Sequence, residues 1–285
     1  MNYNYSEKNY PKHIIALAVF GLLLLFFISR FYSNSMLHQL CRPILISPEI
    51  DNTYWIFHLL QIPEMLTHNI YFAWSFDIII FSLTVSCLVF RKIFFLPMLL
   101  FIFLFAYLLI FNSYAGHHYY FSAGLLFIVL PFATTDNKKF DLLFEAARYY
   151  CCFLYASSGL YKLIRGAIFN SEQMSSILMN DNTDKMYYNP HSLSAEVISY
   201  LIQRPELSQW LFMATAIIEL SFLIGFLTKK FDLILLLGIA LFHTGNYVLL
   251  GISFIEQVAI FLTLVPKGKW IALNEWATTK IFLKE

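Results

Sequence analysis

Long apolar runs, separated by short polar stretches, dominate the chain. A helix that crosses the hydrocarbon core of a membrane needs about 20 mostly apolar residues. Eight segments approach that length, and they lie at about residues 13–32, 70–90, 93–113, 117–134, 141–161, 208–228, 231–250 and 251–265. The pattern predicts an all-α polytopic membrane protein, a bundle of about 8 transmembrane helices.

Two segments between the apolar runs are long, at residues 33–69 and 166–207. Both combine Pro, Asn and Asp turn signals with amphipathic pieces such as "AEVISYLIQ". We therefore expect short surface helices in both of these outer segments. No composition break marks a separate soluble domain, so residues 1–285 are predicted to form a single membrane domain.

Basic residues cluster at alternate ends of the predicted spans. If the N-terminus is cytoplasmic, twelve of the 19 basic residues lie inside: Lys8, Lys12, Arg91, Lys92, Lys138, Lys139, Lys229, Lys230, Lys267, Lys269, Lys280 and Lys284. This distribution follows the positive-inside bias of membrane proteins. It predicts a multi-pass protein of the plasma (inner) membrane with both termini in the cytoplasm.

The composition agrees with a lipid environment. Hydrophobic residues make up 59% of the chain and charged residues 13%, whereas soluble domains carry about 25% charged residues. The formal net charge of +1 gives no basic surface for nucleic acid. Membrane lipid is the expected partner because the chain is so apolar. Four cysteines show no C-x-x-C spacing, and the adjacent Cys151 and Cys152 are most simply packing residues in a helix.

Polar residues inside apolar segments are the candidates for chemistry, because an ionisable side chain in lipid costs about 2.5–3.5 kcal/mol. At 1.5 Å per residue, Lys162 lies about 32 Å along the fifth span from Asp141, near its outer end, and His243 about 18 Å into the seventh. The other polar candidates of the outer half are His117, His118, Asn246 and Glu256, and Glu219 lies about midway along the sixth span. We expect a polar cavity that opens outward.

Simpler interpretations stay open for these residues. A lysine at a helix end often extends its amine to the lipid headgroups, and His117 and His118 suit an interfacial belt. His243 lies too deep for that, which favours a functional or inter-helix hydrogen-bonding role. Neighbouring histidines on a helix diverge by about 100°, and no zinc-binding spacing occurs, so no metal site is predicted.

The fifth span carries a family resemblance in Tyr155, Ser158, Gly159, Lys162 and Leu163. They match the aromatic, small, glycine, lysine, leucine pattern that follows an apolar helix in the vitamin K-dependent gamma-glutamyl carboxylase. The small residues beside Gly159 also leave room for close approach of another helix.

Two further stretches resemble the same family in the same order. "FHTGNYVLLGI", with His243 and Asn246, is similar to its Phe-His-x-x-Asn-x-x-Leu helix, and "HYYF", with His118 and Tyr120, to its His-x-Tyr-Leu. The wider group is the horizontally transferred transmembrane (HTTM) domain family, which includes bacterial inner-membrane proteins. The resemblance covers about residues 70–265.

The resemblance implies a catalytic group of Lys162, His118 and His243, in which the lysine is the base that deprotonates a reduced quinone of the vitamin K type. The predicted substrate- or cofactor-binding residues are Asn246, Gly159 and Ser158, which lie in the matching stretches, and His117, Glu256 and Glu219, which are chosen by their depth in the spans. The chain departs from the carboxylase where Ile-Arg-Gly-Ala-Ile follows Lys162 in place of acidic residues and a tryptophan, and it lacks the large lumenal region that recognises the protein substrate.

Three functions follow as hypotheses. The first is quinone-dependent modification of a lipid-soluble or peptide substrate, as in a carboxylase-like membrane enzyme. The second is a non-catalytic membrane factor for maturation or export of a secreted antimicrobial peptide, as in the sporulation-delaying-toxin maturation branch of the family. The third is a quinone-linked thiol redox protein that uses Cys151 and Cys152.

Overall fold

The computed structural model describes residues 9–40, 59–61, 65, 69–115, 123–251 and 257–282. Within these ranges every regular element is a helix. The chain divides into two compact units. The first comprises Met1–Ala147, Ile255–Thr263 and Lys267–Glu285, and the second comprises Arg148–Phe254 and Leu264–Pro266.

The first unit contains the N-terminal and C-terminal helices of the described chain. They are α1 (Lys12–Tyr32), α2 (Ile70–Val89), α3 (Phe95–Ala115), α4 (Ala123–Phe127), the start of α5 (Asn137–Ile164), α11 (Val258–Phe261) and α12 (Lys267–Phe282). Asn69 caps α2 by accepting a hydrogen bond from the Tyr71 amide. Asp141 joins two ends of this unit, because it accepts from the Tyr10 amide and lies 3.4 Å from the Lys267 ammonium.

The second unit contains the rest of α5 and five further helices. They are α6 (Gln173–Asp181), α7 (Thr183–Tyr188), α8 (Leu193–Ile202), α9 (Pro205–Leu227) and α10 (Asp232–Leu250). Gly166 has a φ of 70°, which suits glycine and lets the chain turn after α5. The three short helices at residues 166–207 agree with the prediction for that segment, and Met174, Leu178 and Ile198 pack among them.

Among the residues that the structure describes, four helices are long and apolar enough to cross a membrane: α1, α2, α9 and α10. The protein buries between 11% and 44% of the apolar stretch of each of these helices, and the smallest share belongs to α10. Leu237 and Leu241 on this helix are 63% and 71% exposed. An apolar surface of this kind is unfavourable in water, so the fold is compatible with a helical membrane protein.

Two of the eight predicted spans differ from continuous helices in their described parts. At 117–134, the five-residue α4 is followed by a 3-10 turn at Leu130–Ala133, in which Pro131 lacks the amide hydrogen that an α-helix needs. At 251–265, the four-residue α11 passes into a 3-10 turn at Leu262–Leu264. The predicted span at 141–161 is helical but lies within the longer α5.

Candidate functional site

A close approach of two helices places the candidate site in the second unit. A side-chain Cβ added to Gly159 of α5 would lie 2.9 Å from the backbone nitrogen of Leu220 and 3.0 Å from the Cβ of Glu219, both on α9. Contacts this short are not found for real Cβ atoms, so glycine is required for the two backbones to come this near. The close approach predicted from the small residues is therefore present, and it brings Glu219 against α5.

Lys162 and Glu219 form an ion pair across this contact. The ammonium Nζ lies 2.8 Å from both Oε1 and Oε2 of the carboxylate. The Ser158 hydroxyl donates a hydrogen bond of 3.1 Å to Oε1. Glu219 is 2% exposed, and a carboxylate buried to this extent is costly unless it is paired and hydrogen-bonded. The interaction with Lys162 and Ser158 supplies both requirements.

Two aromatic rings lie beside the Lys162 ammonium. Its Nζ is 5.2 Å from the ring centroid of Phe212 on α9 and 5.5 Å from that of Phe242 on α10. A cation at this distance is attracted by the electrons of a ring face. The lysine side chain is 21% exposed, so the amine is largely enclosed by three helices but still reachable. The Lys162 amine therefore has partners inside the protein, whether or not it also reaches the lipid headgroups.

His243 makes the inter-helix hydrogen bond that its depth in the sequence suggested. Its Nε2 lies 2.8 Å from the hydroxyl of Tyr155 on α5. The Tyr155 ring packs 4.8 Å from the ring of Phe222, and His243 is adjacent to Phe242, with ring centroids 5.0 Å apart. Phe242 is therefore close to both the Lys162 ammonium and the His243 ring.

Four predicted site residues remain, and the structure describes one of them. Asn246 is half-buried one turn beyond His243, and its side chain makes no hydrogen bond or ion pair with any described residue. His117, His118 and Glu256 lie outside the described residues. The expected convergence of His118 with Lys162 and His243 therefore stays a prediction.

A second buried ion pair joins the same helices and was not predicted. Arg148 of α5 donates from Nε to Asp232 at 2.7 Å and from Nη2 to the same carboxylate at 2.5 Å. It also donates to the carbonyl of Gly225 at 3.0 Å. Arg148 is 1% exposed. The sequence shows an arginine within an apolar helix, which indicates that it needs a partner, and it shows an acidic residue, Asp232, at the start of α10. It does not show that the two residues are in contact.

The cysteines of α5 lie in the packed interior. Cys151 and Cys152 are both fully buried, and neither forms a disulfide. A Cβ added to Gly225 of α9 would come within 2.5 Å of the Cys152 sulfur, so the thiol occupies space that the glycine leaves. Packing of the Cys152 thiol against Gly225 is therefore sufficient to explain why a cysteine is found at residue 152.

The chemistry available at the site is proton transfer. An amine, a carboxylate, two hydroxyl groups and an imidazole lie on three adjoining helices, with hydrogen-bond distances of 2.8–3.1 Å between partners. Within the described part of the chain, no three His, Cys, Asp or Glu side chains come together in a metal-binding group. Comparisons of the chain with protein-family models, with curated proteins and with solved structures find no match.

Proposed function

We propose that this chain is a multi-pass membrane protein of the HTTM type, in which Lys162 and Glu219 transfer protons to and from a reduced quinone at the outer side of a bacterial inner membrane. The observation that carries the proposal is the enclosed ion pair of Lys162 with Glu219, fixed by Ser158. It supports the role that the resemblance assigns to Lys162, because a buried carboxylate beside an amine can relay its proton.

The residues suit a flat, lipid-soluble ring. Phe212 and Phe242 offer ring faces beside the lysine, and the amine keeps partial exposure through which a ligand can reach it. A reduced quinone supplies acidic hydroxyl groups and the capacity to react with oxygen. The proposed topology of eight spans with cytoplasmic termini gives such a molecule access from the lipid.

The proton steps follow from the contacts. Lys162 can accept a proton only as a neutral amine, so its ammonium first passes one to Glu219 over 2.8 Å. Nζ then accepts the hydroxyl proton of the substrate and becomes an ammonium again. Glu219 holds the first proton, with Ser158 keeping its carboxyl group in place, until water at the membrane surface removes it. Tyr155 and His243 form a second exchangeable pair next to Phe242.

The test uses the purified protein in lipid nanodiscs with vitamin K hydroquinone or menaquinol and oxygen, and measures quinone epoxide by chromatography. General acid–base groups contribute about 10²–10⁴-fold to a rate, so Lys162→Ala should lower epoxide formation at least about a hundredfold, and Glu219→Gln should lower it as well. Lys230→Ala, which changes an exposed lysine of the same unit, is the control. Absence of epoxide with wild-type protein for both quinols would refute the proposal.

A non-catalytic maturation factor is the second candidate, favoured by the surface of the segment at 166–207. Tyr187, Tyr188 and Leu193 are 77%, 73% and 79% exposed, which is the kind of apolar surface that a peptide can cover. In this case Lys162→Arg should preserve function, while Tyr187→Ser with Tyr188→Ser should abolish it. The readout is the amount of mature peptide in the medium when a small secreted peptide encoded beside this chain is expressed with it.

A further inference from the structure

A histidine and an aspartate form a dyad in the first unit, where the chain folds back after α1. The short 3-10 turn at Leu37–Gln39 lies against α2. His38 Nδ1 is 2.7 Å from Oδ2 of Asp77 on α2. The backbone amides of Leu37 and His38 also donate to this carboxylate, at 3.3 and 3.0 Å. Asp77 is only 4% exposed, and these three donors account for its presence in an apolar helix.

The dyad determines which nitrogen of His38 can meet a ligand. A carboxylate only accepts hydrogen bonds, so Nδ1 must carry the hydrogen and Nε2 of the neutral ring is an acceptor. Nε2 has no hydrogen-bond partner among the described residues. The side chain of His38 is 9% exposed. A ligand that donates a hydrogen bond can therefore pair with Nε2 without displacing a partner among the described residues.

The orientation of the imidazole is fixed by stacking. The Trp74 ring lies parallel to it within 22°, with centroids 3.6 Å apart. Phe31 lies on another side, at 6.2 Å. A ring held by a carboxylate and an indole in this way is pre-organised, and pre-organised groups bind ligands at lower entropic cost.

His38 and Asp77 line a cavity of about 470 Å³ in the first unit. This volume falls within the range of about 300–1,000 Å³ that is typical of small-molecule sites. The other lining residues are largely apolar and aromatic, and include Phe31, Trp74 and Phe81. These three are 49%, 44% and 40% exposed, so their rings offer free surface to a flat apolar molecule.

We propose that this cavity binds a lipid-soluble molecule with a planar ring that carries a hydroxyl group, of the quinol or phenol class. The ring packs against the aromatic lining, and the hydroxyl donates to Nε2 of His38 while Asp77 holds Nδ1. The site lies in the first unit and uses no residue of the Lys162 group, so it stands apart from the function proposed above. In the alternative interpretation the dyad only ties the turn to α2.

The experiment compares two probes that differ only in their hydroxyl groups. Decylubiquinol and its dimethyl ether are titrated into the purified protein in nanodiscs under anaerobic conditions, and dissociation constants are obtained by calorimetry. One hydrogen bond to a carboxylate-supported imidazole is expected to favour the quinol about tenfold or more. Equal affinity for the two probes in wild-type protein would refute the proposal.

His38→Phe is the central variant, because a phenyl ring can still stack on Trp74 and Asp77 keeps its two backbone donors. It is made in the Lys162→Ala background, which removes the other proposed quinol site. There the preference for the quinol should fall to about onefold, while the affinity for the ether is unchanged. His191→Phe, at an exposed histidine of the second unit, should retain the wild-type preference. A preference retained in His38→Phe would contradict the assignment.

Two more variants complete the test. Ile78 lines the cavity and is 57% exposed, so Ile78→Trp should fill the space and weaken both probes at least about tenfold without changing the dyad, even where His38→Phe fails to fold. Unchanged binding in Ile78→Trp would overturn the proposal. Lys162→Ala removes the quinol site proposed above, so the quinol that this variant still binds should keep the preference over the ether; loss of the preference in this variant would place the quinol at Lys162 and overturn the assignment to His38.

Discussion

Gly159 gives the sharpest prediction about the candidate site. An alanine Cβ at this position would meet the Leu220 backbone nitrogen at 2.9 Å, where ordinary contacts begin at 3.4 Å. The backbone of α9 would therefore have to move by about 0.5 Å, since a backbone nitrogen cannot rotate away as a side-chain end can. Overpacking of this kind costs about 1–3 kcal/mol.

Gly245 of α10 is the matched control. It lies in a helix of the same unit, and a Cβ added to it has nothing within 4 Å. Replacing glycine by alanine in a helix gains about 0.5–1 kcal/mol from backbone entropy in either position. The gain is common to both variants, so the free energy of unfolding of Gly159→Ala should be lower than that of Gly245→Ala by about 1–3 kcal/mol.

The assay is unfolding in mixed micelles by titration with sodium dodecyl sulfate, followed by circular dichroism. Because the clash also involves the Cβ of Glu219 at 3.0 Å, Gly159→Ala should in addition displace the carboxylate from Lys162 and slow any reaction that depends on the pair. If Gly159→Ala were as stable as Gly245→Ala, the close contact of α5 and α9 would be wrong.

Three further variants test the interior of the second unit. Arg148→Met should lower the free energy of unfolding by about 3–5 kcal/mol because Asp232 is left as an unpaired buried charge, and adding Asp232→Leu should restore most of it; no recovery in the double variant would contradict the pairing. Cys151 and Cys152 should react with a maleimide only after unfolding, as measured by mass spectrometry, and labelling of the folded protein would contradict their burial. Asn182→Ala should cost about 1–3 kcal/mol in the same unfolding titration, because a buried amide that donates to two backbone carbonyls is lost.

The apolar runs were sufficient to predict most of the long helices, because helix length in a membrane is set by local composition. The predicted starts and ends of α1, α2, α9 and α10 lie within about three residues of those observed. The segments at 117–134 and 251–265 are apolar too, yet their described parts are short helices and 3-10 turns. Hydropathy does not report such breaks, and only Pro131 signalled one.

The part of the candidate site that lies on one helix could be predicted from the sequence, whereas the contacts between helices could not. Gly159 and Lys162 are three residues apart on α5, so their shared face followed from helix geometry. Their partner on α9 did not, because 57 residues separate Lys162 from Glu219 and no helix period links them. Asp77 lies in an apolar run that offered the same signal as Arg148, but the partner that explains it, His38, lies in a turn between helices.

The ion pairs of α5 also impose an order in time. Arg148 and Lys162 are synthesised together on one helix, but Asp232 and Glu219 follow them in the chain by 84 and 57 residues. At a synthesis rate of about 5–20 residues per second, the lysine waits about 3–11 s for its counter-charge. For that interval α5 carries two uncompensated charges, so both ion pairs form only after α9 and the start of α10 have been made.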